Sequence, residues 1–554
     1  MVAIKRKYTD IIELSLYLFF IIAYPFIFVR YGQDYTDGPF HMMSYVGLRN
    51  PSWMTGLQTF IGSLWMRLTG DYVISYRILT RILVWLAMVI PTLVVIGFKK
   101  NALGALRCLA LSMILFSNLY MYNLSWDTLS YFVIAIIYTL SVVYLYHNES
   151  IWLVLIGALT GVLGLIRFPS LAIVLPLFVL IVSHRYRETS KWKRLSLDFL
   201  FMSLPLILIY YVLFVWLHKQ YPGLLTQADG NSNMGITSAI NNIIKSLLPL
   251  GYRYVNEGMR VFEILGVLTM LTLGWLNRNK LPKMKPWLVF AMISVLAMYF
   301  ILTLLRSPYG RHLWLFMASI VLVLLGYLFM KSKIEREHNL FLLCIFSVMI
   351  GPVSVIGSDT GLFRLFMGYS FILPIALIHI VRYLDFDMRK GLTLLLCIVA
   401  FFSVINKVFF NTVFDDGNLI QLNSEINHQK MKGIKTTNMR KQHIESMLAV
   451  ADSIQQTDPD SKVLYYGTSS HLMSYLTDTS RPPLFGWRMD FQDIKSLRTH
   501  VVSDLSPVYV FCVTGYPERD FKYDSNGVED MLTDNGYAKI KDGNKYFVYK
   551  KIDY

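Results

Sequence analysis

Residues 151–183 read IWLVLIGALTGVLGLIRFPSLAIVLPLFVLIVS. The stretch is apolar apart from Arg167 at its middle and a few small polar residues. It fits either one long tilted helix or two short ones. A full crossing takes roughly 20 mostly apolar residues, and each half has only about 15. The loop that follows decides between them. It carries Arg185, Arg187, Lys191, Lys193 and Arg194, and short loops rich in Lys and Arg stay cytoplasmic. A single crossing would put these five cations outside, so the stretch is expected to turn at Arg167-Phe168-Pro169 and cross twice.

Working outward, the spans expected are 11–29, 78–98, 103–121, 128–146, 151–166, 169–183, 197–217, 260–276, 287–304, 313–330, 339–356, 362–384 and 391–411. A bilayer offers the backbone no hydrogen-bond partner, so each must be helical. Lys5/Arg6/Lys7, Lys99/Lys100, Arg278/Lys280/Lys283/Lys285, Lys331/Lys333/Arg336 and Arg389/Lys390 fall in alternate loops with 185–194. Thirteen spans leave the N-terminus cytoplasmic and the residues after 411 outside. The apolar run 11–29 lacks a small-x-small cleavage site and reads as an uncleaved anchor.

Residues 1–411 are therefore expected to form an all-α membrane domain of about 13 helices, with outer loops 30–77 and 218–259. Within the first loop, Trp53, Leu57, Phe60, Ile61, Leu64, Trp65 and Leu68 share one helical face, and Thr55, Gln58, Thr59, Ser63 and Arg67 face elsewhere. That is an interfacial amphipathic helix. A similar stripe runs through 236–248. Residues 412–554 are polar and mixed, and read as a small extracytoplasmic α/β domain. Helices are expected at 441–456 and 490–500, strands at 462–466 and 507–514, and a hairpin at 537–550 around Asp542-Gly543-Asn544.

Hydrophobic residues make up 55% of the 554 and charged ones 16%, against roughly a quarter charged in soluble domains. The net charge of +16 is spread over loops between apolar blocks, which excludes a nucleic-acid partner. Of four cysteines, only Cys512 lies in the soluble part, so that part has no internal disulfide.

Polar residues at the outer boundaries are the candidates for chemistry. Asp34 and Asp37 follow the first span, in YGQDYTDGPFH, 31–41. A carboxylate there could accept a proton from a hydroxyl, or the stretch could be a solvated turn. Asp127 stands between spans 3 and 4, either for chemistry or as a cap for Thr128 and Ser130. Arg306, Tyr309, Arg311 and His312 cluster between spans 9 and 10. Arginine suits phosphate because its planar donors are always charged; snorkelling to lipid headgroups is the alternative, as it is for Arg167. Asp359 and Arg364 sit in a Gly-rich turn between spans 11 and 12.

This layout resembles the GT-C class of membrane glycosyltransferases. The carriers are an acidic residue soon after the first helix, an amphipathic helix in the same loop, the Arg-x-Pro stretch Arg167-Phe168-Pro169, and an outer C-terminal domain. The order over residues 1–410 is similar to aminoarabinose and protein O-mannosyl transferases. Those enzymes often carry Asp-Glu in the first loop, whereas here Asp37 precedes Gly38-Pro39 and Asp34 precedes Tyr35. Asp37 is favoured, because His41 follows one turn later. The resemblance implies an enzyme of the bacterial inner (plasma) membrane. Its donor would be a polyprenyl-phosphate-linked sugar, and its acceptor a hydroxyl on a glycan, lipid or protein. Asp37, Asp34 or Asp127 would serve as base, and Arg306, Arg311, His312 and Arg167 would hold the phosphate. His41, Tyr309, Asp359 and Arg364 would line the cavity. No cofactor is implied, although the three aspartates could bind a divalent cation. The competing readings are a polymerase or ligase using a polyprenyl-diphosphate donor, and a transporter or flippase of lipid-linked glycans.

Overall fold

The computed structural model describes residues 11–35, 37–46, 56–99, 102–116, 123–186, 191–220, 311–356, 365–383, 401, 404–410, 413, 416–478, 494–502, 507–516, 519–520 and 525–552. The expected spans 260–276 and 287–304, the stripe at 236–248 and most of 391–411 lie outside these.

Four described helices are long and apolar enough to cross a membrane: Val73–Gly97, Trp126–His147, Phe168–Arg185 and Trp192–Gln220. Shorter apolar helices run Ile11–Ile27, Gly104–Phe116, Ile151–Ile166, His338–Ser354 and Leu373–Tyr383. The chain is an integral membrane protein. Its outward surface agrees with that: Leu200, Leu204, Ile207, Leu208 and Tyr211 on one helix are all exposed, as suits hydrocarbon rather than water.

The turn inside 151–183 is present. Helix Ile151–Ile166 ends at Arg167, which is extended (φ −155, ψ 98) while its N–H still donates to Leu163 O. A 3-10 turn Phe168–Ile173 follows, with Pro169 at its start, where a missing N–H costs nothing. Helix Val174–Arg185 then returns. Short spans are tolerated here because the hairpin leans on a neighbour. Gly157 and Gly161 lie one turn apart on the same face. A methyl group at Gly157 would stand 2.0 Å from Met202 O, and one at Gly161 2.7 Å from Leu206 O. Helix Lys191–Gln220 thus meets this hairpin backbone to backbone, the small-residue packing that replaces hydrophobic drive in lipid.

At the opposite end of these helices, Asp198 accepts from Arg185 Nε (2.6 Å), Tyr144 (2.8 Å) and Ser150 (3.0 Å). This buried ion pair is one the sequence reading did not anticipate. Glu13 and Arg107 also pair with each other.

The amphipathic helix of the first loop is Gly56–Thr69. Gln58, Thr59 and Ser63 of its polar side are buried together with Leu57 of the stripe, whereas Arg67 is exposed, as are Leu64 (47%) and Leu68 (72%). A helix at a lipid interface is expected to turn its apolar stripe to the membrane.

The C-terminal part contains a four-stranded sheet. Its strands are β1 (Val463–Gly467), β2 (Tyr509–Val513), β3 (Tyr537–Gly543) and β4 (Tyr546–Lys551). The order is β1-β2-β4-β3. Strands β1 and β2 are parallel, β2–β4 and β4–β3 antiparallel. Strands β1 and β2 are buried throughout, so both of their faces are covered. One face packs Tyr466, Val510 and Cys512 against Leu497, Val528 and Leu532. The other, with Tyr465, Phe511 and Val548, belongs to the same core as the membrane helices. The helix expected at 441–456 is Asn438–Thr457, and the one at 490–500 is Ile494–Val501. Helices Ser470–Thr477 and Ser525–Asp534 were not foreseen.

This part sits directly on the first loop. Lys435 N–H donates to Arg30 O (2.7 Å), and Gly32 N–H to Lys435 O (2.9 Å). Further along, Tyr475 donates to Asp71 (2.7 Å), and Lys430 Nζ bonds Tyr475 O (2.6 Å) and Asp478 (2.8 Å).

Candidate functional site

Asp34 and Asp37 occupy different environments. Asp34 is buried. Its Oδ2 accepts from Gly38 N–H at 2.7 Å and from Asn123 Nδ2 at 2.5 Å. Asp34 therefore fastens the start of helix Asp37–Tyr45 to the segment between spans 3 and 4. Gly38 lets the Asn123 side chain approach closely, since a methyl there would stand 2.6 Å from it and push it away from Asp34. Asp37 is the first residue of the helix and is exposed. His41, one turn on, is buried, and its ring meets Trp126 edge to face at 4.3 Å. Phe40 meets His471 of the C-terminal part at 5.3 Å.

Asp127 does not cap its helix by side chain. Ser125 is the cap, its Oγ accepting from Thr128 N–H at 3.3 Å. Asp127 instead pairs with Arg167 Nε at 3.5 Å. Arg167 is buried rather than snorkelling. Its other donors reach Ser170 Oγ (3.1 Å) and Ile356 O (2.7 Å). Beside the pair is a small cavity with room for about one water molecule. Ser130 and Ser354 line it beside Asp127 and Arg167, and Ile134, Met367 and Phe371 supply apolar walls.

Three predicted residues thus meet around residues 123–127: Asp34 through Asn123, His41 through Trp126, and Arg167 through Asp127. Arg306, Tyr309, Asp359 and Arg364 lie outside the described residues. Arg311 and His312 open helix Arg311–Ile334, but their side chains lie outside the description. Among the described residues, no group of three His, Cys, Asp or Glu could hold a metal.

Sequence reasoning missed several participants. Asn123, which holds Asp34, is one of them. Arg77 and Arg81 are fully buried, and Arg77 reaches Val29 O (3.2 Å) and Gln33 Oε1 (3.4 Å), tying the first span's end to the loop. Two arginines four apart at the start of an apolar helix were a legible signal. Asp416, whose Oδ2 accepts from Gln33 N–H, gave none.

No family model and no curated protein matches the sequence. Among solved structures, the chain is similar to ArnT from Cupriavidus metallidurans bound to undecaprenyl phosphate, with a TM-score of 0.42 and 11% identity over 98% of this chain and 97% of that one. The apo form of the same protein gives 0.42 and 12% over 100% and 99%. The Archaeoglobus fulgidus oligosaccharyltransferase, in complex with Zn and sulfate, gives 0.47 and 11% over 91% and 68%. Likenesses this loose carry no argument about function, which rests on the chain's own residues.

Proposed function

We propose that the chain is a GT-C-like membrane glycosyltransferase. It moves a sugar from a polyprenyl-phosphate donor to an extracytoplasmic hydroxyl, with inversion. The observation that carries this reading is that Asp34 is tied to Asn123, four residues before the Asp127 that pairs with the buried Arg167. A lipid-linked sugar needs carboxylate and cation together at a membrane boundary.

Asp37, exposed at the start of its helix, takes the proton from the acceptor hydroxyl. The hydroxyl oxygen then bonds to the anomeric carbon. The bond from that carbon to the phosphate oxygen breaks, and its electron pair leaves with the polyprenyl phosphate. Phosphate needs no general acid at neutral pH, but its charge must be held. Arg167 supports that role, together with Arg306, Arg311 and His312. Asp34 holds the helix that carries Asp37.

The test is turnover of purified protein in lipid nanodiscs on a panel of polyprenyl-phosphate sugars. Asp37→Asn keeps the size but cannot take the proton, and a loss of about 100-fold or more is expected. Asp34→Asn still offers an oxygen to Gly38 and should lose less. Near-normal turnover by Asp37→Asn removes it as base. Use of polyprenyl-diphosphate sugars alone supports the polymerase or ligase reading instead.

A further inference from the structure

Asp416 is buried where the C-terminal part meets the first loop. Its Oδ2 accepts from Gln33 N–H at 2.8 Å. Its Oδ1 accepts from Thr436 Oγ1 at 2.7 Å and from Tyr35 OH at 3.3 Å. Tyr35 OH and Thr436 Oγ1 are themselves 2.9 Å apart, and the Arg440 guanidinium lies 4.9 Å from the centre of the Tyr35 ring. Gln33 and Tyr35 flank Asp34 directly in sequence, so this one carboxyl grips the backbone on one side of Asp34 and a side chain on the other.

We propose that Asp416 is a positioning residue: through Gln33 and Tyr35 it sets the place of Asp34, and with it the start of helix Asp37–Tyr45. Its bearing on catalysis rests on the function proposed above; its hold on the loop does not.

The contact is pH-dependent. Burial pushes the Asp416 carboxyl up from 3.8 to about 6, against the lowering pull of the Thr436 hydroxyl, Arg440 and the Gln33 N–H. The charged and titratable groups around it are Arg440 from helix Asn438–Thr457, Tyr35 and Asp34 from the loop, and Arg77, which reaches Gln33 from helix Val73–Lys99. A carboxyl with a raised pKa binds its proton more tightly in the docked state. Docking is therefore strongest below about pH 4, weakens as pH rises through about 6, and is flat above. The full change is up to about 100-fold in the docking equilibrium. Asn at 416 mimics the neutral acid: its oxygen can accept from Gln33 N–H, and its amide can donate to the Tyr35 or Thr436 hydroxyl.

The experiment is hydrogen exchange of amides 30–46 in the full-length protein in nanodiscs, from pH 5 to 7.5, with labelling times scaled for intrinsic exchange. Wild type should gain protection as pH falls. Asp416→Asn should stay protected at pH 7.5 and lose the pH dependence. Asp416→Ala should lose protection roughly 10-fold or more. Should the alanine variant not fold, Tyr35→Phe removes one donor, keeps the carboxyl, and should give a smaller loss. Unchanged protection in Asp416→Ala, or in Tyr35→Phe where that variant stands in, overturns the proposal. So does wild-type pH dependence in Asp416→Asn. Donor turnover measured beside it reads the proposed function separately. A loop that loosens in a protein that uses no polyprenyl-linked sugar ends that function and leaves the loop assignment standing.

Discussion

Arg167 holds three groups with one guanidinium: Asp127, Ser170 and the Ile356 carbonyl. A lysine can keep the charge but not this fork. The pair with Asp127 is a single 3.5 Å contact to a side chain 21% exposed, so its coupling energy should be about 1 kcal/mol or less. A double-mutant cycle on thermal stability, using Asp127→Asn and Arg167→Lys, measures that term. If Arg167 also holds the donor phosphate, Arg167→Lys should weaken donor use roughly 10- to 150-fold, the range of one charge-assisted contact. A large coupling energy with unchanged donor dependence would make the pair purely structural. The sequence made Arg167 and Asp127 visible as outer polar residues, but not as partners. Asn123 and Asp416 were harder still. They meet Asp34 and Gln33 across 89 and 383 residues, and no local pattern reports such a contact.

Spans were the most legible elements, because a bilayer allows only apolar helices of fixed minimum length. The turn inside 151–183 followed from loop charges, with Arg167 and Pro169 marking its place. What periodicity could not tell was which face of helix Gly56–Thr69 turns inward, since an apolar stripe means core in water and surface in lipid. The crossing of helices Ile151–Ile166 and Lys191–Gln220 is the element most sensitive to change. Gly157→Leu would drive a side chain into the Met202 carbonyl. Overpacking in ordinary cores costs about 1–3 kcal/mol, and a backbone obstacle cannot rotate away, so the loss should reach at least the top of that range. Gly97→Leu, with nothing within 4 Å, is the control. Size-exclusion profiles and melting temperatures in detergent should separate the two variants, and equal behaviour would refute backbone contact.

At the scale of the molecule, the first loop and the C-terminal part lie together, so they share one side of the membrane. The thirteen spans expected from the sequence predict that this side is outside. A periplasm-active reporter fused after Tyr554 should be active, and a cytoplasm-active one fused after Lys99 should be active too. The reverse pattern in both would invert the topology and move the candidate site to the cytoplasm.

The pairing of Gly32 with Lys435 also bears on how the protein is made. The first loop is synthesised early, yet the residue it pairs with is about 400 residues further along. At roughly 5–20 residues per second, synthesis takes about 20–80 s to reach it. Through that interval a nascent chain carries Asp34 and Asp37 beside the bilayer without the segment that registers them. A ribosome that stalls before residue 416 leaves an inserted bundle with an unfinished site, so competence would arrive only near the end of translation.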